Sequence, residues 1–87
     1  MPQFYESVAR RAARYLEDIQ TRRVSPSPEA VRGLDTFLEP LPDAPTAPED
    51  VIALLDRAGS PATMGIAGPR FFGFVIGGAL PAALAAD

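Results

Sequence analysis

The chain has 87 residues and a net charge of -3, and it contains neither cysteine nor histidine. This composition excludes disulfides, the common zinc sites and the Ser-His and Cys-His catalytic pairs. The weak negative charge also argues against a nucleic-acid interface. A domain of this size buries only about 60–65% of its unfolded surface. We therefore expect short helices that need another surface to pack against.

The first predicted element is an amphipathic helix over residues 3–22, where apolar side chains recur at helical spacings. These side chains are Phe4, Val8, Ala12, Tyr15, Leu16 and Ile19. Arginines cluster in the same region with acidic residues among them, which indicates a solvated or subunit-facing surface rather than a nucleic-acid patch. The N-terminus lacks the apolar core of a secretory signal, which predicts a cytoplasmic protein.

Two shorter helices follow, separated by proline-rich connectors. Ser27 is the predicted N-cap of the second helix, with Pro28 at its first position. Thr46 and Glu49 have the spacing of a capping box for the third helix, and Gly59 is predicted to end that helix in a left-handed turn. The predicted buried faces are Val31, Leu34, Phe37 and Leu38 in the second helix, and Val51, Ile52, Leu54 and Leu55 in the third.

Residues 62–78 show no helical period, and a short extended segment is predicted at 72–76. Glycines in this region imply positive φ angles or the close approach of another group. A fourth helix is predicted to begin at Leu80, with Pro81 in its first turn. The apolar run 71–86 is interrupted by glycines and by Pro81, and it is shorter than the about 20 residues that a membrane span needs. We therefore expect no membrane helix.

Four motifs occur in the order "RVSPSP", "APEDVIALLD", "GPRFFGFVIGG" and "LPAALAAD". This layout resembles the N-terminal segment of the group II pyridoxal-phosphate-dependent decarboxylases, which include aromatic amino acid, glutamate and histidine decarboxylases. The resemblance covers residues 1–87. It departs from the family pattern at Gly68, where many members have histidine before the proline. It implies a mainly α-helical N-terminal fragment of a homodimeric α/β enzyme with the aminotransferase-like fold, in which the helix from Leu80 runs on into the cofactor-binding domain.

In that family a lysine holds pyridoxal phosphate, and the loop after "FFG" lies near the substrate side chain at the dimer interface. This chain has no lysine, so the resemblance implies that it is inactive alone and holds no catalytic or cofactor-binding residue. By position, the implied substrate-binding residues are Phe74, Val75, Ile76 and Gly77, an apolar wall beside an amino acid substrate. The alternative role for Phe71, Phe72 and Phe74 is packing. Arg70 is a candidate for binding a substrate carboxylate or for a surface or interface ion pair. The alternative function is a non-enzymatic helical module that folds on a partner.

Overall fold

The computed structural model describes residues 2–74 and 79–86, which form a succession of short helices without a strand. The α-helices are α1 (Pro2–Asp18), α2 (Pro28–Arg32), α3 (Pro48–Leu54) and α4 (Pro81–Ala86). A 3₁₀ turn, Gly33–Phe37, extends α2. A π-helical turn at Leu55–Gly59 and a 3₁₀ turn at Ser60–Ala62 extend α3. The mainly helical architecture predicted from the sequence is confirmed for the described residues.

The first helix ends at Asp18, four residues before the predicted boundary at 22. Residues 19–22 continue as hydrogen-bonded turns, in which the amide of Ile19 donates to the carbonyl of Tyr15 at 2.9 Å and that of Arg22 to Asp18 at 2.9 Å. The apolar periodicity therefore predicted the helix correctly, and only its last turn is irregular. Ile19, at 4% exposure, is the only buried apolar side chain among the described residues.

Proline at the first helical position sets the start of both α2 and α3. The residue before a proline is held in extended backbone, and it becomes the N-cap. At α2 this residue is Ser27, whose hydroxyl accepts a hydrogen bond from the amide of Ala30 at 3.1 Å, as predicted. At α3 it is Ala47, which has no side chain that can cap. The predicted capping box of Thr46 and Glu49 is therefore wrong by one position.

The predicted left-handed end of the third helix is also wrong. Gly59 has φ -85° and ψ -49°, so the chain stays right-handed and winds on through the two following turns. The predicted buried face of this helix is only partly covered, because Ile52 and Leu54 are half-buried while Val51 and Leu55 are exposed. The apolar stripe predicted for the second helix is exposed at Val31, Leu34, Phe37 and Leu38.

Polar side chains, rather than an apolar core, join α1 to α3 and its extension. The hydroxyl of Ser7 donates to Glu49 at 2.7 Å, and the guanidinium of Arg11 donates to Asp56 at 2.9 Å. Arg14 lies 3.9 Å from the same Asp56 carboxylate. Within residues 2–74 and 79–86, no helix combines the length and the hydrophobicity that crossing a bilayer requires.

Candidate functional site

The segment that carries the "GPRFFGF" motif, residues 63–74, follows the last 3₁₀ turn and is named here the aromatic loop. It lies against the C-terminal end of the first helix. The amide of Gly65 donates to the carbonyl of Val24 at 2.7 Å, and the amide of Gly68 donates to Gly65 at 3.3 Å. The guanidinium of Arg70 donates to the carbonyl of Arg22. The bonds of Gly65 and Arg70 attach the loop to residues 22–24, and the bond of Gly68 closes a turn within the loop.

Two glycines of the aromatic loop let its backbone pack directly over Ile19. A methyl group on Gly68 would lie 2.9 Å from the carbonyl oxygen of Ile19 and 3.1 Å from its Cγ1 atom. A methyl group on Gly65 would lie 3.2 Å from the Cδ1 atom of Ile19. No described glycine has a positive φ angle. Of the two explanations that the sequence offered for these glycines, close approach is therefore the correct one at Gly65 and Gly68.

The aromatic residues of the loop occupy different environments. Phe71 is half-buried, and its ring lies against Gly73, where a methyl group would be 2.8 Å from the Cζ atom. Phe72 and Phe74 are 91% and 89% exposed. Phe74 has φ 55°, a left-handed conformation that non-glycine residues adopt rarely and at a cost of about 1 kcal/mol or more. The loop thus presents two large apolar rings to solvent.

Phe74 is the one predicted substrate-binding residue that the structure describes. Its side chain is 89% exposed in this chain, and both the substrate-wall role and the packing role in a full-length enzyme stay predictions. Val75, Ile76 and Gly77 lie outside the described residues, so the structure describes only residues 72–74 of the extended segment predicted at 72–76. The described part of that segment is a bend at Gly73 and a turn at Phe74 rather than a strand.

Arg70 forms a contact within the chain that the sequence did not predict, while its candidate roles toward a substrate carboxylate or in an interface ion pair stay predictions. Its guanidinium donates to a backbone carbonyl, that of Arg22, and it forms no ion pair with a described acidic residue. This carbonyl belongs to the irregular turn that follows α1, four residues beyond the end of the helix at Asp18. Arg70 therefore joins the aromatic loop to the backbone of this turn.

Apart from the aromatic loop, the structure has an open groove of about 690 Å³ between α1, the connector before α2 and the turn at residues 56–61. Four arginines line it together with three carboxylates, namely Arg11, Arg14, Arg22, Arg23, Glu17, Asp18 and Asp56. Arg11 pairs with Asp56 at 2.9 Å, and Arg22 donates to the backbone of Ser60. The charges in this groove largely neutralise one another, so it lacks the excess of one sign that a charged ligand requires.

Sequence reasoning missed these arginine contacts, since it assigned the cluster to solvent or to a subunit interface. The contacts join residues about 40 positions apart, for example Arg22 to Ser60 and Arg11 to Asp56. A helical period indicates which face of a helix a residue occupies, but it does not indicate which distant residue meets that face. The only available signal was the concentration of arginine without lysine, because arginine is favoured where one side chain must donate several hydrogen bonds.

The donor groups of this chain do not fit the covalent attachment of pyridoxal phosphate, because such attachment needs a lysine amine and the chain has none. Within residues 2–74 and 79–86, no three histidine, cysteine or acidic residues are grouped so that they could hold a metal ion. Comparison with known proteins gave no match to a protein-family model, to a curated protein or to a solved structure. Function is therefore inferred from the residues of this chain alone.

Proposed function

We propose that this chain is the N-terminal dimerisation and substrate-wall segment of a pyridoxal-phosphate-dependent amino acid decarboxylase, a carboxy-lyase that acts as a cytoplasmic homodimer. The observation that carries the proposal is the aromatic loop. Its "GPRFFGF" motif is held in place through Gly65, Gly68 and Arg70, yet Phe72 and Phe74 remain almost fully exposed. Large rings held outward on an anchored loop suit a surface that another chain or a substrate completes.

The large solvent-exposed area of the chain supports the proposal that it packs against another protein. This area is 6847 Å², whereas a compact monomer of 9.2 kDa exposes about 4,900 Å². The excess of about 1,900 Å² is more than twice the about 800 Å² that each partner buries in a standard interface. The radius of gyration, 14.9 Å, also exceeds the about 12 Å expected for a compact chain of this length. This support applies equally to the alternative, a helical module that folds on a partner.

The proposal assigns no part of the cofactor chemistry to this chain. Pyridoxal phosphate supplies an electron sink for decarboxylation when it is bound, and the lysine that holds it would belong to another part of the enzyme. The role left to this chain is to bind and orient the substrate side chain. We therefore expect the 87-residue chain to be inactive when it is studied alone.

An apolar wall distinguishes substrates by their shape. One methylene group in such a pocket changes discrimination by about 10–200-fold in kcat/KM. In the proposed full-length enzyme, Ile76→Phe should therefore change the relative kcat/KM for different amino acids while the cofactor absorbance stays constant. Leu41→Phe, at an exposed position outside the loop, is the matched control and should change neither. A uniform loss for all substrates, together with loss of cofactor, would show that Ile76 is a packing residue.

The DNA sequence downstream of codon 87 separates the two functions directly. The decarboxylase proposal requires an open reading frame that continues into a domain with a lysine for the cofactor. The alternative requires a stop codon at that place. A stop codon there, in a chain whose helices become ordered only with a partner, would replace the proposed function by the alternative.

A further inference from the structure

Arg22 occupies the junction between the first helix, the extension of α3 and the aromatic loop. Its guanidinium donates to the carbonyl of Ser60, to the hydroxyl of Ser60 at 3.3 Å and to the hydroxyl of Thr63 at 3.4 Å. The same guanidinium lies over the ring of Tyr15, 5.6 Å from its centroid. Arginine suits this position because its planar group carries several fixed donors and also stacks on aromatic faces.

The backbone of residues 22–24 also contacts the aromatic loop. The carbonyl of Arg22 accepts from the guanidinium of Arg70, and two residues later the carbonyl of Val24 accepts from the amide of Gly65. Arg22 is thus linked to the start of the aromatic loop through its side chain and to residue 70 through its carbonyl. Between these two attachments, Gly68 lies directly on Ile19.

Phe72 and Phe74 follow the second attachment by only two and four residues. Phe71, which lies between Arg70 and Phe72, is half-buried. The attached residues 63–70 therefore set the direction in which residues 72–74 extend from the surface. A displacement of residues 63–70 would move both exposed rings.

We infer that Arg22 is the positioning residue of the aromatic loop, and that its hydrogen bonds to Ser60 and Thr63 decide where Phe72 and Phe74 are presented. This inference rests on the proposed function only for what the two rings contact, namely a substrate or a second subunit. Arg23 is the natural comparison, since it is adjacent and exposed, and its side chain has no hydrogen-bond partner among the described residues.

The test is amide hydrogen exchange of the 87-residue chain, resolved by nuclear magnetic resonance or by mass spectrometry of peptides, for the wild type, Arg22→Ala, Arg22→Lys and Arg23→Ala. Hydrogen bonds that involve a charged group contribute enough that Arg22→Ala should speed exchange at Gly65 and Gly68 about tenfold or more. Residues 5–15 of α1 should keep their wild-type rates. Arg22→Lys should be intermediate, since one ammonium replaces only part of the donor set, and Arg23→Ala should match the wild type.

Each other outcome overturns the inference. Equal exchange in Arg22→Ala and Arg23→Ala would show that Arg22 does not hold the loop. Faster exchange throughout α1 as well would indicate a general structural role, and absence of protection at Gly65 in the wild type would show that the anchor does not form. The measurement needs neither cofactor nor substrate, so its failure is distinct from that of the decarboxylase proposal, which the downstream reading frame decides.

Discussion

Replacement of Gly68 by alanine tests the close contact between the aromatic loop and α1. The added methyl group would lie 2.9 Å from a backbone oxygen and 3.1 Å from a side-chain carbon of Ile19. Backbone at this distance cannot move aside as a flexible side chain can, and overpacking of this kind costs about 1–3 kcal/mol. Because the φ angle of Gly68 is not positive, alanine would gain about 0.4–1 kcal/mol from the lower entropy of the unfolded chain. We expect a net destabilisation of about 1–2 kcal/mol.

Three other glycines provide a graded set of controls. A methyl group at Gly33 meets nothing within 4 Å, one at Gly59 lies 3.7 Å from the ring of Phe37, and one at Gly65 lies 3.2 Å from Ile19. Gly33→Ala should therefore be stabilising by about 0.4–1 kcal/mol, and stability should fall through Gly59→Ala and Gly65→Ala to Gly68→Ala. Urea unfolding followed by circular dichroism at one protein concentration measures the series. The contact is refuted if Gly68→Ala is as stable as Gly33→Ala.

Two further substitutions address α3 and its contact with α1. Ala47→Ser places a hydroxyl at the true N-cap and should stabilise the chain by about 1 kcal/mol, whereas Thr46→Ala should change the free energy of unfolding by less than about 0.5 kcal/mol. A larger loss for Thr46→Ala than the gain for Ala47→Ser would show that Thr46 is the N-cap after all. Asp56→Asn removes the carboxylate that pairs with Arg11 and should cost about 0.5–1 kcal/mol, less at high salt. Asp43→Asn, in an exposed connector, should have no measurable effect, and equal losses in thermal unfolding of both variants would contradict the ion pair.

The helices were predictable because their signals are local. The apolar period gave α1, and the prolines at positions 28, 48 and 81 each lie at the first position of a helix in the structure. The residue before a proline that starts a helix is the N-cap. Pro48 therefore makes Ala47 the N-cap of α3, even though the neighbouring Thr46 has the better capping side chain. The error at Gly59 has a different origin. A glycine permits a left-handed helix end but does not require one.

The contacts that build the candidate site were not predictable from local pattern. The sequence indicated that glycines between 62 and 78 permit close approach, but it did not indicate that Ile19 is the residue approached. Likewise, the arginine cluster was visible, while the partners of Arg11 and Arg22 lie 45 and 38 residues away. Pairings over such distances depend on how the helices pack together, which neither a helical period nor a motif encodes.

The long-range hydrogen bonds of the described residues lie away from the apolar faces of the helices. The apolar faces of the short helices remain largely exposed, and Ile19 is the only buried apolar side chain that the described residues contain. The hydrogen bonds of Arg22, Arg70 and Gly65 nevertheless converge on one small region, the attachment of the aromatic loop to the end of α1. A second set of long-range contacts joins α1 to α3 and its extension, through the bonds of Ser7 to Glu49 and of Arg11 to Asp56. The attachment of the aromatic loop differs from this set because it includes a backbone bond, from the amide of Gly65 to the carbonyl of Val24, so it does not depend on side chains alone.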